Sequence, residues 1–172
     1  TTHGEAGMIE VKIESIRISL MSPNQVVILK EIDGPRCLPV FIGKPEGDAI
    51  TFKLNHVEVP RPLSHDLAAE VIEALEGKVS HVLIRELQGT HFLASLYFQG
   101  ERGEIEIDAR PSDAIAIAVR VSCPIFVEDA VMTAVGVIPP SDAAEGGEDF
   151  GAFSDFIGSL DLGDLDDEDK DG

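Results

Sequence analysis

Between Ile9 and Leu20 the chain alternates. Ile9, Val11 and Ile13, then Ile16, Ile18 and Leu20, are apolar, with mostly charged or polar residues between them. A period of two predicts a strand with one buried face, and the change of phase between Ile13 and Ile16 predicts a bulge or bend. Pro23-Asn24 reads as a turn, Gln25 to Lys30 as a second strand, Asp33-Gly34-Pro35 as a turn and Cys37 to Ile42 as a third strand. The period then lengthens. Pro45 to Leu54 reads as a helix with Ala49, Ile50, Phe52 and Leu54 on its apolar surface, although Gly47 is a poor helix former. His56 to Leu63 is a connector carrying two prolines. Beyond it Leu67, Ala68, Val71, Ile72 and Leu75 fall at helical spacing. Ser64 is the expected N-cap of that helix, Asp66 suits its first turn and Gly77 is placed to end it.

The second half repeats the plan. Val79 to Leu87, His91 to Phe98 and Gly103 to Asp108 read as strands joined by glycine-bearing turns, with His81 and His91 expected at the surface. Pro111 to Val121 alternates Ala and Ile and could be taken for a strand. Proline at a first helical position, an acid in the first turn and three alanines predict a helix instead, and one so apolar must be buried. Pro124 to Val127 is a short extended piece, and Glu128 to Val137 holds a last helical turn. Lys44-Pro45-Glu46-Gly47-Asp48-Ala49-Ile50 and Arg110-Pro111-Ser112-Asp113-Ala114-Ile115 each follow a strand and open a helix, with their Asp-Ala-Ile triplets 65 residues apart. The expected class is therefore α+β: a mostly antiparallel sheet built from a duplicated β3α unit, with additional helices packed on it.

Composition divides the chain. Of its 172 residues, 1–7 read as an N-terminal extension before a natural start at Met8, 8–140 as one domain, and 141–172 as an acidic tail expected to be disordered. Residues 1–140 hold 20 acids and 12 bases, a net of −8, and 141–172 hold 12 acids and one base, a net of −11. Neither part has the basic stripe of a protein that grips phosphate backbones over a wide surface, so any nucleic-acid site must be local. In the tail, Phe150, Phe153, Phe156, Ile157, Leu160, Leu162 and Leu165 recur every three or four residues. Residues 150–165 are thus either a segment that folds onto a protein partner or a solubilising tail with incidental hydrophobes. No apolar run approaches the ~20 residues of a membrane helix. With no recognisable signal peptide in residues 1–7, the expected location is cytoplasmic. Cys37 and Cys123 have no partner at metal spacing and read as reduced thiols.

Three clusters could carry chemistry. Arg110, Ser112 and Asp113 stand where a strand runs into a helix N-terminus, a place with free backbone N–H groups, and Arg110 would add a phosphate clamp. The same residues also suit a plain helix start, with Ser112 or Asp113 as cap and Arg110 paired to Asp108 or Asp113. Lys44, Glu46 and Asp48 occupy the related position in the first copy, where two acids could join a cation site or simply be solvated. Arg61, Ser64, His65 and Asp66 gather a histidine with an acid and a base, but neighbours in sequence do not face one another on a helix, so Asp66 cannot be assumed to orient His65. Phosphate-loop, dinucleotide, nucleophile-elbow and zinc patterns are absent from the sequence.

Met8-Ile9-Glu10-Val11, Leu38-Pro39-Val40-Phe41-Ile42-Gly43, Arg61-Pro62-Leu63-Ser64-His65-Asp66-Leu67 and above all Asp108-Ala109-Arg110-Pro111-Ser112-Asp113-Ala114-Ile115-Ala116 resemble the bifunctional nuclease domain family over residues 8–140. The resemblance implies a compact α+β domain, a homodimer and cleavage of DNA and RNA. Nucleic acid would then be the substrate and phosphodiester hydrolysis, assisted by Mg²⁺ or Mn²⁺, the reaction. The positions matching the family's motifs are Arg61, His65, Asp66, Arg110, Ser112 and Asp113. His65, Asp66 and Asp113 are the catalytic candidates, Arg61, Arg110 and Ser112 the substrate-binding ones, and Asp113 with Asp48 or Glu46 the cation ligands. The alternative is a non-catalytic regulatory or protein-binding module that uses the tail.

Overall fold

A computed structural model describes residues 7–140. The tail segment 150–165 lies outside the described residues. Three strands, β1 (Met8–Ile18), β2 (Gln25–Glu31) and β3 (Cys37–Ile42), form an antiparallel meander. Its pairing register shifts between Ile13 and Ser15, where the hydrophobic pattern changes phase. Helices α1 (Lys44–Leu54) and α2 (Ser64–Ala74) follow. A second meander, β4 (Val79–Gln88), β5 (His91–Gly100) and β6 (Gly103–Ala109), leads into α3 (Pro111–Val121). The described chain continues with β7 (Ile125–Glu128) and α4 (Asp129–Val135).

The seven strands form one sheet in the order β3-β2-β1-β7-β4-β5-β6. β7 lies between the two meanders, antiparallel to β1 and parallel to β4. The first strands of the two halves therefore run in opposite directions on either side of β7, as expected if a two-fold rotation relates the halves. The fold is α+β, and among the described residues β4–β7 is the one parallel pair of the sheet.

The core lies where the apolar faces of both halves meet the helices. Val27, Leu29, Leu38 and Val40 from the first half and Val82, Ile84, Ala94 and Leu96 from the second join Ile50 of α1 and Ala114 to Ala118 of α3. The ambiguous Ala/Ile segment is thus a helix buried along most of its length. Gly47 is explained by packing. Gln25, only 3% exposed, lies so close that a Cβ at position 47 would overlap its Oε1. The same amide donates to Asp48 Oδ1 at 2.9 Å.

Local corrections concern the ends of α2 and one histidine. Ser64 is the first helical residue rather than the cap. Leu63 occupies the N-cap, and its N–H donates to Asp66 Oδ2 at 2.8 Å, half of a capping box. At the C-terminus the left-handed residue is Glu76 (φ 57°), and Gly77 follows with its N–H donating to Ile72 O at 2.8 Å. His81 is half-buried, stacked on Tyr97 with ring centroids 4.5 Å apart.

Candidate nuclease site

Acidic residues take the same place in three helices. Glu46 is the third residue of α1, Asp66 of α2 and Asp113 of α3. An acid in the first turn is stabilised by the N-terminal end of the helix dipole. In chain position the counterpart of Asp113 is therefore Glu46, not the Asp48 of the matching Asp-Ala-Ile triplet. Gly47 and Asp48 are one and two residues further along, and Asp48 faces elsewhere, bonded to Lys44 Nζ at 2.5 Å and to Gln25.

Packing of α1 and α2 against α3 assembles four of these side chains. Arg110, the N-cap of α3, donates from Nε to Asp113 Oδ2 at 2.7 Å and from Nη2 to Asp113 Oδ1 at 3.1 Å. The same Nη2 donates to Glu46 Oε1 at 2.9 Å, across 64 residues of sequence. His65 Nε2 lies 2.9 Å from Asp113 Oδ1. Burial pushes the Asp113 carboxyl up, but hydrogen bonds from Arg110 and His65 outweigh it and hold it below the ordinary carboxylate range. Asp113 is therefore ionised at neutral pH and can only accept, so a neutral His65 carries its hydrogen on Nε2. Nδ1 makes no hydrogen bond among the described residues. Since no buried side-chain nitrogen or oxygen there lacks a partner, Nδ1 reaches solvent with its lone pair free.

Asp66 belongs to a different arrangement. It accepts from Arg120 Nε at 2.6 Å and from the Leu63 N–H, which together hold its carboxyl low against the upward push of burial. Arg120 is only 4% exposed, and it also donates to Ala116 O at 2.8 Å and Ala49 O at 3.1 Å, tying α3 to both α1 and α2. Arg61 stands apart from the four-residue cluster. It is exposed and lines a cavity of about 390 Å³ with Lys53, Pro60, Leu63, Asp66 and Arg120. Ser112 is 7% exposed and packs into the domain. Arg110 pairs with Asp113, whereas Asp108 pairs with Arg85 at 2.5 Å.

The carboxylates expected to share a cation are not gathered around one point. Glu46 and Asp113 are both bonded to the Arg110 guanidinium, and among the described residues no three His, Cys, Asp or Glu side chains are grouped as metal ligands. As placed, they do not fit a divalent cation. The thiols are no alternative nucleophiles, because burial pushes both Cys37 and Cys123 up to about 11.

Two partners in these arrangements escaped the sequence reading. Arg120 did leave a signal, a lone cation in a stretch, Ala114 to Val121, that is otherwise apolar. The contact of Glu46 with Arg110 left none beyond the repeat itself.

The sequence profile of the bifunctional nuclease domain matches residues 27–139. An uncharacterized protein of Mycobacterium tuberculosis, in strains CDC 1551 and H37Rv, is 41% identical over 136 residues, covering 79% of this chain and 81% of the relative. Bifunctional nuclease 1 of Oryza sativa subsp. indica is 29% identical over 116 residues, and Bifunctional nuclease 2 of Arabidopsis thaliana is 27% identical over 110. Those matches cover 65% and 62% of this chain but 35% and 33% of the plant proteins, so the chain spans about a third of their length. Among the described residues no helix is long and apolar enough to cross a membrane. The matched region takes in Arg110, Asp113, His65 and Glu46 together with the helices that hold them, and the chain belongs to the bifunctional nuclease domain family.

Proposed function

We propose that this chain hydrolyses phosphodiester bonds in DNA and RNA at the cluster of His65, Asp113, Arg110 and Glu46. The observation that carries the reading is the 2.9 Å bond from His65 to Asp113, which joins two helix starts 48 residues apart and leaves a histidine nitrogen open to solvent. In this reading Arg110, 66% exposed, binds a phosphate oxygen and offsets the charge that develops on it. His65 Nδ1 takes a proton from the attacking water, and Asp113 orients the ring and stabilises the imidazolium that forms. The phosphorus–oxygen bond to the leaving group then breaks, and the same imidazolium returns the proton to that oxygen.

Arg61 and Lys53 would extend the phosphate contact along the neighbouring cavity, while Asp66 and Ser112 support the helix starts. No step is routed through a divalent cation. The reading includes a homodimer and a cytoplasmic setting, both inferred from family and sequence. With a net charge of −8 over residues 1–140, substrate binding is expected to be weak and to fall further with added salt.

The test is cleavage of labelled single-stranded DNA and RNA by the full chain, with Mg²⁺, with Mn²⁺ and with chelator. His65→Ala and Asp113→Asn are each expected to lower kcat by two or more orders of magnitude, in line with the usual size of acid–base contributions. Activity that persists unchanged in both variants would come from a contaminant or another site and would end the assignment.

A further inference from the structure

A guanidinium offers two edges that can each hold a pair of oxygens. On Arg110 the side edge, Nε with Nη2, is filled by the two oxygens of Asp113. The end edge, Nη1 with Nη2, is the remaining bidentate seat for a phosphate. Glu46 occupies half of it, with Oε1 2.9 Å from Nη2, while Nη1 makes no bond among the described residues. Glu46 is no loosely waving surface acid, since its side chain is 16% exposed against 66% for Arg110. Room for its carboxylate comes from Gly43, the N-cap of α1. A Cβ at position 43 would lie 2.5 Å from Glu46 Oε2 and force that carboxylate to shift.

We propose that Glu46 is a built-in competitor for phosphate at Arg110 and sets how tightly the site takes a nucleic-acid backbone. The inference rests on the reading of Arg110 as the phosphate-binding residue. A phosphodiester arriving at the end edge must displace Glu46 to bind through two oxygens, or settle for Nη1 alone. Glu46 thereby offsets part of the attraction that Arg110 offers and makes the site selective for ligands able to supply both oxygens.

The experiment is fluorescence anisotropy of a short labelled single-stranded DNA with the full chain, in chelator, at fixed salt. Removing one competing ion pair whose arginine is exposed is expected to lower Kd by about fivefold for Glu46→Gln, and by more for Glu46→Ala, which leaves no acceptor at all. Gly43→Ala keeps the net charge, suits the extended backbone at that position (φ −67°, ψ 155°) and should tighten binding in the same direction. It also serves as the test if the Glu46 variants do not fold, as judged by circular dichroism. Each gain should vanish in an Arg110→Gln background.

Gains that persist in that background arise away from Arg110, as charge reduction at large would in the Glu46 variants, and overturn the proposal. So does unchanged affinity in the Glu46 and Gly43 variants while Arg110→Gln still weakens the wild type. If Arg110→Gln leaves wild-type binding unaltered, the phosphate role of Arg110 fails, and the competitor role falls with it.

Discussion

Removing Asp66 should damage this domain more than removing the arginine it pairs with. The asymmetry comes from burial. Arg120 is 4% exposed at its side chain and Asp66 is 26% exposed. In Asp66→Ala the guanidinium keeps its bonds to Ala116 O and Ala49 O but loses its counter-charge at 2.6 Å. A buried charge stripped of its partner costs about 3–5 kcal/mol, and the partial exposure of Asp66 points to the lower half of that range. The Leu63 N–H also loses its acceptor, which adds roughly 0.5–1 kcal/mol as for other lost caps.

Arg120→Met is milder. The stem volume is kept, Asp66 still accepts from Leu63 and meets solvent, and the two carbonyls lie within helices that supply their own N–H partners. The expected loss is about 1–2 kcal/mol. The double variant should then be more stable than Asp66→Ala alone, because the second substitution removes the stranded charge. Urea unfolding at neutral pH gives each value as the product of midpoint and m-value. An Arg120→Met loss equal to or larger than that of Asp66→Ala, or a double variant at the sum of the singles, would refute the reasoning.

Other outcomes follow from the same contacts. Asp66 and Asp113 are both held below the ordinary carboxylate range, so the stability they supply is full above the unfolded value of about 3.9 and is lost as pH falls through their folded values. The stability gap between wild type and Asp66→Asn should therefore be constant from pH 7 to about 5 and close below about 4 in acid titrations of unfolding. Gly47→Ala would raise helix propensity by about 1 kcal/mol yet should lower the melting temperature, because the overlap with Gln25 costs about 1–3 kcal/mol. A rise would show that Gln25 moves aside freely. With iodoacetamide at pH 8, Cys123, half-buried, should react slowly and Cys37, fully buried, only on unfolding. Mass spectrometry of the labelled peptides reads both.

Much of the fold was legible because both periods were clean. Cys37 to Ile42 is a strand with the predicted bounds, and the phase change after Ile13 marks a real register shift. The Ala/Ile run at 111–121 was resolved by its proline and first-turn acid, features of local chemistry that tertiary packing did not override. The ends of α2 were less legible. A serine beside a helix start is a good cap in general, but here the helix begins one residue earlier, with the extended Leu63 as N-cap and its own N–H held by Asp66. His81 illustrates a different limit, since a strand residue's exposure depends on what lies beside it, here Tyr97 and Phe126.

The candidate site divides along the same line. Residue types and spacing along the chain were enough to place Arg110-Pro111-Ser112-Asp113 at a helix start and to warn that Asp66 could not be assumed to orient His65, because those properties depend on dihedral preferences and on 3.6 residues per turn. Which acid serves which base depended on how α1, α2 and α3 pack. That packing is set by the shared apolar core and by Arg120, and it alone brings Asp113 to His65 across 48 residues, Glu46 to Arg110 across 64 and Asp66 to Arg120 across 54. Hydrogen bonds act over about 3 Å, and helix spacing carries no record of distances between separate helices.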